Sequence, residues 1–137
     1  MPKRLTSAQQ AAYHRDGYVA PIDIFDADEV AAIRSALEAA EADHGELMQG
    51  PGRNNAHYVL PVLDSIAHDN RILDAVEDLI GPDINVAGTT LFIKEPETKG
   101  FISWHQDARY IGLEPHDWVT AWPVSYTHLR AHETTLD

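Results

Sequence analysis

The sequence predicts an α+β domain in which a helical layer covers an antiparallel sheet. Three observations lead there. Capped, amphipathic stretches occupy the chain up to Gly81-Pro82, the run after Pro82 is β-branched and loses helical periodicity, and the helices precede the strands instead of alternating with them. A chain of 137 residues with 44% hydrophobic content is one domain at most and can bury a core of its own.

The elements follow in order. Thr6 or Ser7 can cap a first helix that runs to about Arg15 and stops at Asp16-Gly17, after which Tyr18–Pro21 reads as extended. Asp26 followed by Glu29 has the form of a capping box, and Val30, Ile33 and Leu37 recur at helical spacing down to His44-Gly45. Gly50-Pro51-Gly52 and Asn54-Asn55 mark residues 46–57 as a loop. Asp69 can cap a third helix with an apolar stripe of Ile72, Leu73, Val76, Leu79 and Ile80, and Gly81-Pro82 ends it. Ile84–Lys94 then suits a strand and Glu95–Gly100 a turn. Phe101–Trp104 and Val119–Trp122 suit short strands separated by Pro115-His116-Asp117.

Composition removes whole classes of function. With 22 acidic against 10 basic side chains the formal charge is −12, and no Lys/Arg cluster offers a footprint for a phosphate backbone or anionic lipid. Nucleic acid and membrane are therefore not expected partners. The absence of cysteine excludes disulfides, thiolate metal sites and thiol nucleophiles, whereas eight histidines leave ample imidazole for metal or proton chemistry. No apolar run reaches the length of a secretion signal or a membrane span, so a cytoplasmic location is expected.

The stretch that carries chemistry is Ser103-Trp104-His105-Gln106-Asp107. Residues two apart on a strand share a face, so His105 and Asp107 can aim an imidazole nitrogen and a carboxylate oxygen at one point. A borderline ion such as Fe(II) takes such mixed donors, and a second histidine from a distant strand completes a facial triad with open positions. Spacing alone does not separate this claw from a surface His and Asp at a strand end.

Further segments give the pair a context. The run from Asp69 to Ile84, Leu91-Phe92-Ile93-Lys94-Glu95-Pro96, Trp104-His105-Gln106-Asp107, Tyr110 and Ala121-Trp122 together resemble the phytanoyl-CoA dioxygenase family of Fe(II)- and 2-oxoglutarate-dependent oxygenases. Tyr13-His14-Arg15-Asp16-Gly17-Tyr18-Val19 is similar to that family's opening, so the resemblance covers about residues 5–122. It implies N-terminal helices packed on an incomplete double-stranded β-helix, a jelly-roll or cupin-like sheet. It also implies His105 and Asp107 as iron ligands, with no catalytic residue beyond them. Gln106 stands between the ligands, Trp122 forms an aromatic wall beside 2-oxoglutarate, Thr90 lines the same cosubstrate, and His57 falls near a cosubstrate-contacting position. Relatives that halogenate replace the carboxylate with a small residue, so Asp107 implies hydroxylation: dioxygen and 2-oxoglutarate are consumed, succinate and CO2 released, and a small organic substrate hydroxylated.

Each residue also has a structural reading. Trp122 suits a core strand aromatic, Thr90 an ordinary β-branched strand position, and Lys94 and Arg109 solvated charges. Tyr110 and Trp118 suit packing as well as a substrate mouth, while His14, His44, His68 and His116 sit beside helix ends or turns and read as surface residues.

The end of the chain departs from the family pattern. A closed jelly roll needs about eight strands, and the 30 residues after Asp107 hold about three. Neither the distal histidine nor the arginine that pairs with the far carboxylate of 2-oxoglutarate has a matching position. Val124–Thr134 instead resembles, at every residue, the translation of a transposon-type sequencing adapter. The expected division is thus residues 1–123 as a partial oxygenase domain and 124–137 as a non-native tail, with the chain inactive by itself. His128 and His132 have the i,i+4 spacing of a helical ligand pair, and the adapter reading removes them as ligands. Two other functions remain open: a non-catalytic cupin-like metal or small-molecule binding module, and an acidic interaction domain without metal.

Overall fold

A capping box opens α1 (Ser7–Asp16). The Thr6 hydroxyl accepts the Gln9 N–H at 3.2 Å, and the Gln9 side-chain oxygen accepts the Thr6 N–H at 2.8 Å. Gly17 closes the helix in the left-handed region (φ 81°), donating its N–H to the Tyr13 carbonyl. The computed structural model describes residues 2–49, 51–93, 101–115 and 117–123. The second expected box is also present: Asp26 Oδ1 accepts the Glu29 N–H and Glu29 Oε2 accepts the Asp26 N–H, both at 2.8 Å, ahead of α2 (Ala27–Gln49).

Beyond that point α2 departs from expectation. It kinks at His44 (φ −139°, ψ 29°) and continues to Gln49 instead of ending at Gly45. The extra turn buries Met48, so apolar contact carries the helix past a glycine. Residues 46–57 are accordingly not a plain loop. They comprise the end of α2 and two single 3-10 turns, Pro51–Arg53 and Ala56–Tyr58.

The sequence reading also passed over α3 (Pro61–Ala67), which starts on a proline with no polar cap. It is short, and Leu60 offers no capping side chain. α4 (Asn70–Ile80) matches expectation at both ends, with Asp69 accepting the Arg71 N–H at 2.8 Å and Gly81 terminating the helix.

Arg71 binds the helical layer together. Its guanidinium donates to both oxygens of Glu29 (3.0 and 2.9 Å) and both of Asp69 (3.0 and 2.8 Å), and it lies over the Phe25 ring. Hydrogen bonds from Arg71 hold the Glu29 and Asp69 carboxyls below their usual ranges. At the other end of α4, Asp78 accepts three successive backbone N–H groups, from Lys3, Arg4 and Leu5, at 2.7–2.8 Å. Desolvation pushes this carboxyl up, and the three donors outweigh it, so its pKa falls. The segment they fix carries Leu5, the most deeply buried side chain described, 1% exposed where α1 packs on α4.

After Pro82 the backbone runs extended, with Ile84, Val86, Thr89 and Leu91 half-buried. Among the described residues the regular elements are helical, and pairing of the extended segments is limited to an antiparallel bridge between Asn54 and Thr90. Residues 101–104 and 119–122, expected as strands, carry no ladder there, and a short helix, α5 (Ala108–Ile111), lies between them. The Glu95–Gly100 turn, Lys94, His116 and the tail from Val124 onward lie outside the described residues. No helix among those described is long and apolar enough to cross a membrane.

Candidate functional site

His105 and Asp107 meet. His105 Nε2 lies 3.1 Å from Asp107 Oδ1, although the backbone turns there into α5 and does not run as a regular strand. The Asp107 and Gln106 carbonyls accept the N–H groups of Tyr110 and Arg109, so the ligand-like residues form the entry to a helix. His105 Nδ1 is 2.7 Å from the Ser103 carbonyl oxygen, which only accepts. Nδ1 therefore donates to Ser103, and Nε2 is the ring nitrogen that faces the carboxylate.

That arrangement tests the donor set for a metal. The two atoms stand 3.1 Å apart, close enough to share a proton as an ion pair or to bind one metal ion side by side. Ligands at right angles on a metal, each about 2.1 Å from it, stand about 3 Å apart. The pair fits a divalent ion. Among the described residues, no group of three or more His, Asp or Glu side chains surrounds such a point.

The second oxygen of Asp107 is also engaged. Thr120 donates its hydroxyl to Asp107 Oδ2 at 2.7 Å, and the Trp118 indole N–H donates to Thr120 Oγ1 at 3.2 Å. Trp118, read from sequence as packing or substrate mouth, is half-buried and tied by its nitrogen. Tyr110 is 78% exposed and stands edge-on to the His105 ring at 6.2 Å. Gln106 and Arg109 are exposed, as are His14, His44 and His68.

A second polar cluster surrounds His57. The loop residues Arg53–Asn55 pair with Thr89–Leu91: the Asn55 N–H donates to the Thr89 carbonyl (2.7 Å), the Thr89 N–H to Asn55 Oδ1 (3.2 Å), and the Leu91 N–H to the Arg53 carbonyl (2.9 Å). Asn55 adopts the left-handed region (φ 57°), which asparagine tolerates better than most residues. Gly88 admits the clasp, since a Cβ there would stand 2.8 Å from Asn55 Oδ1. His57 is buried beneath the clasp with Nδ1 2.7 Å from the Thr89 hydroxyl, and the Thr90 hydroxyl donates to Asn54 Oδ1 at 3.2 Å.

Sequence reasoning singled out His57 and Thr90 but not Asn54, Asn55, Gly88 or Thr89. The available signal was local turn chemistry, and the contact partner lies more than thirty positions away. Trp122 joins the two clusters. It stacks on Phe92 (5.2 Å between centroids, 29° between planes), bringing the segment after Thr90 against the segment after Thr120. Trp122 is 66% exposed.

Sequence comparison gives these segments a family. Residues 13–131 match the phytanoyl-CoA dioxygenase family, a span that passes the expected boundary at Pro123, and the chain belongs to that family. It is similar to the ectoine dioxygenase of Sphingopyxis alaskensis, 32% identical over 115 residues covering 75% of this chain and 37% of the relative. The ectoine dioxygenases of Bordetella parapertussis and Bordetella bronchiseptica are each 28% identical over the same shares. The chain thus spans little more than a third of these relatives' length. No solved structure matches it significantly.

Proposed function

We propose that this chain carries two iron ligands and part of the cosubstrate wall of an Fe(II)- and 2-oxoglutarate-dependent hydroxylase acting on a small organic substrate. The observation that carries the reading is the 3.1 Å approach of His105 Nε2 to Asp107 Oδ1 with the ring's other nitrogen committed to Ser103. His105 and Asp107 hold the ion, and Ser103 fixes the ring that binds it. Bound iron supplies activation of dioxygen, coupled to oxidative decarboxylation of 2-oxoglutarate.

The protein's own contribution is positioning and exclusion of water. The Phe92–Trp122 stack walls one side of the cosubstrate, and Thr90, Gln106 and His57 supply polar contacts along it. Segments 84–93, 101–104 and 119–122 are strands of the double-stranded β-helix in this reading, which residues 1–123 leave incomplete. In this reading a third ligand and a 2-oxoglutarate-binding arginine complete the site from the part of the relatives' length that this chain does not span.

The decisive observation is the uninterrupted genomic frame beyond Trp122, expected to encode a late histidine followed by an arginine. The protein from that frame is expected to form succinate only with Fe(II), 2-oxoglutarate and oxygen, and ectoine is the first substrate to assay because the matched relatives are named for it. Metal binding without succinate favours the binding-module alternative. In the 137-residue chain, His128→Ala with His132→Ala is expected to leave metal affinity unchanged; its loss would restore the tail histidines as ligands.

A further inference from the structure

The two oxygens of Asp107 are treated differently by the protein, and the difference has a chemical use. Indole is a donor without acceptor capacity, so the Trp118 contact fixes the direction of the whole chain. Thr120 Oγ1 must accept from Trp118, and its single proton then goes to Asp107 Oδ2, 2.7 Å away. That length is ordinary for a well-formed hydroxyl–carboxylate hydrogen bond. Among the described residues, Oδ1, the oxygen beside His105 Nε2, accepts from no hydroxyl.

We propose that Thr120 is the positioning residue for Asp107, with Trp118 orienting it: the relay occupies Oδ2 and leaves Oδ1 as the oxygen offered to a metal. The inference rests on the ligand reading of His105 and Asp107. Its consequence is one-oxygen ligation. A carboxylate free to pivot presents both oxygens and fills a coordination position that an oxygenase must keep open for cosubstrate and oxygen. The hydroxyl is contributed by Thr120, thirteen positions from Asp107. Its neighbour but one, Trp122, stacks on Phe92, which anchors the segment that presents it.

The test uses Co(II) alone as the probe, titrated into the purified 137-residue chain and followed by its d–d absorption, beside the 1H–15N spectrum of the metal-free protein. Thr120→Val keeps the shape and removes the hydroxyl. It is expected to weaken Co(II) binding about 10–100-fold, the usual effect of losing a hydrogen bond to a metal ligand, and to displace the Trp118 indole N–H signal. Thr120→Ser is expected to restore both, and Trp118→Phe to weaken binding less than Thr120→Val. Unchanged Co(II) affinity in Thr120→Val, with His105→Ala abolishing binding, overturns the positioning role and spares the ligand reading. A serine variant as weak as valine overturns it too, since the missing feature is then the methyl and not the hydroxyl. Co(II) binding that survives His105→Ala, or is absent from the starting protein, overturns the ligand reading and this inference together.

Discussion

The helical layer up to Pro82 and the segment after it are held by different means. In the first, each helix with a readable start has a capping side chain, a guanidinium bridges two helix entries, and a carboxylate gathers three backbone donors. In the second, the large side chains Phe92, Phe101, Trp104, Tyr110 and Trp122 are all more than half exposed, and order comes from two small polar clusters and one aromatic stack. The lesson is a division of labour. Among the described residues the deepest apolar burial lies before Pro82, while the candidate chemistry sits on backbone with little apolar burial beneath it.

Substitutions can break that division. The largest effect is expected from Asp107→Ala, which removes one donor of the pair and should reduce Co(II) affinity by about 100-fold or more, with the far-UV helical signal unchanged. A parallel loss of helicity would show that the two regions are coupled. Next, Leu5→Ala in the helical layer should cost about 2–4 kcal/mol by chemical denaturation, because a fully enclosed leucine leaves a cavity.

Gly88→Ala addresses the seam between the regions. Its Cβ would collide with Asn55 Oδ1, and a loss of about 1–2 kcal/mol is expected, together with displacement of the His57 ring signals. The smallest effect is electrostatic. Glu29 and Asp69 have lowered pKa values in the fold, so the stability they add is present at neutral pH. It declines as the pH falls below their ordinary values near 4.5 and 3.8, and is gone once the pH passes below the folded values. Thermal melts between pH 6 and pH 2 should show this slope flattened in Arg71→Gln, modestly, because the network is partly solvated.

What the sequence disclosed follows the range of each interaction. α1, α2 and α4 were legible at their starts because a cap and its partner lie three residues apart or fewer. α3 lacked that signal, and the end of α2 was misplaced because burial of Met48 outweighed the glycine before it. The His105–Asp107 pair was legible as two residues two positions apart. Thr120 and the Asn55–Thr89 clasp were not, since folding brings them in from a distance and their residue types are ordinary for turns and strands.

The placement of the tryptophans makes the two regions optically separable. All three, Trp104, Trp118 and Trp122, come after residue 100, and the helices that dominate circular dichroism contain none. Tryptophan emission, excited beyond the tyrosine band, therefore watches only the segment that carries the donor pair, with Trp104 at 95% exposure and Trp118 hydrogen-bonded through its indole N–H. Emission and ellipticity recorded on one sample during a single melt become independent thermometers for the two halves, without any label.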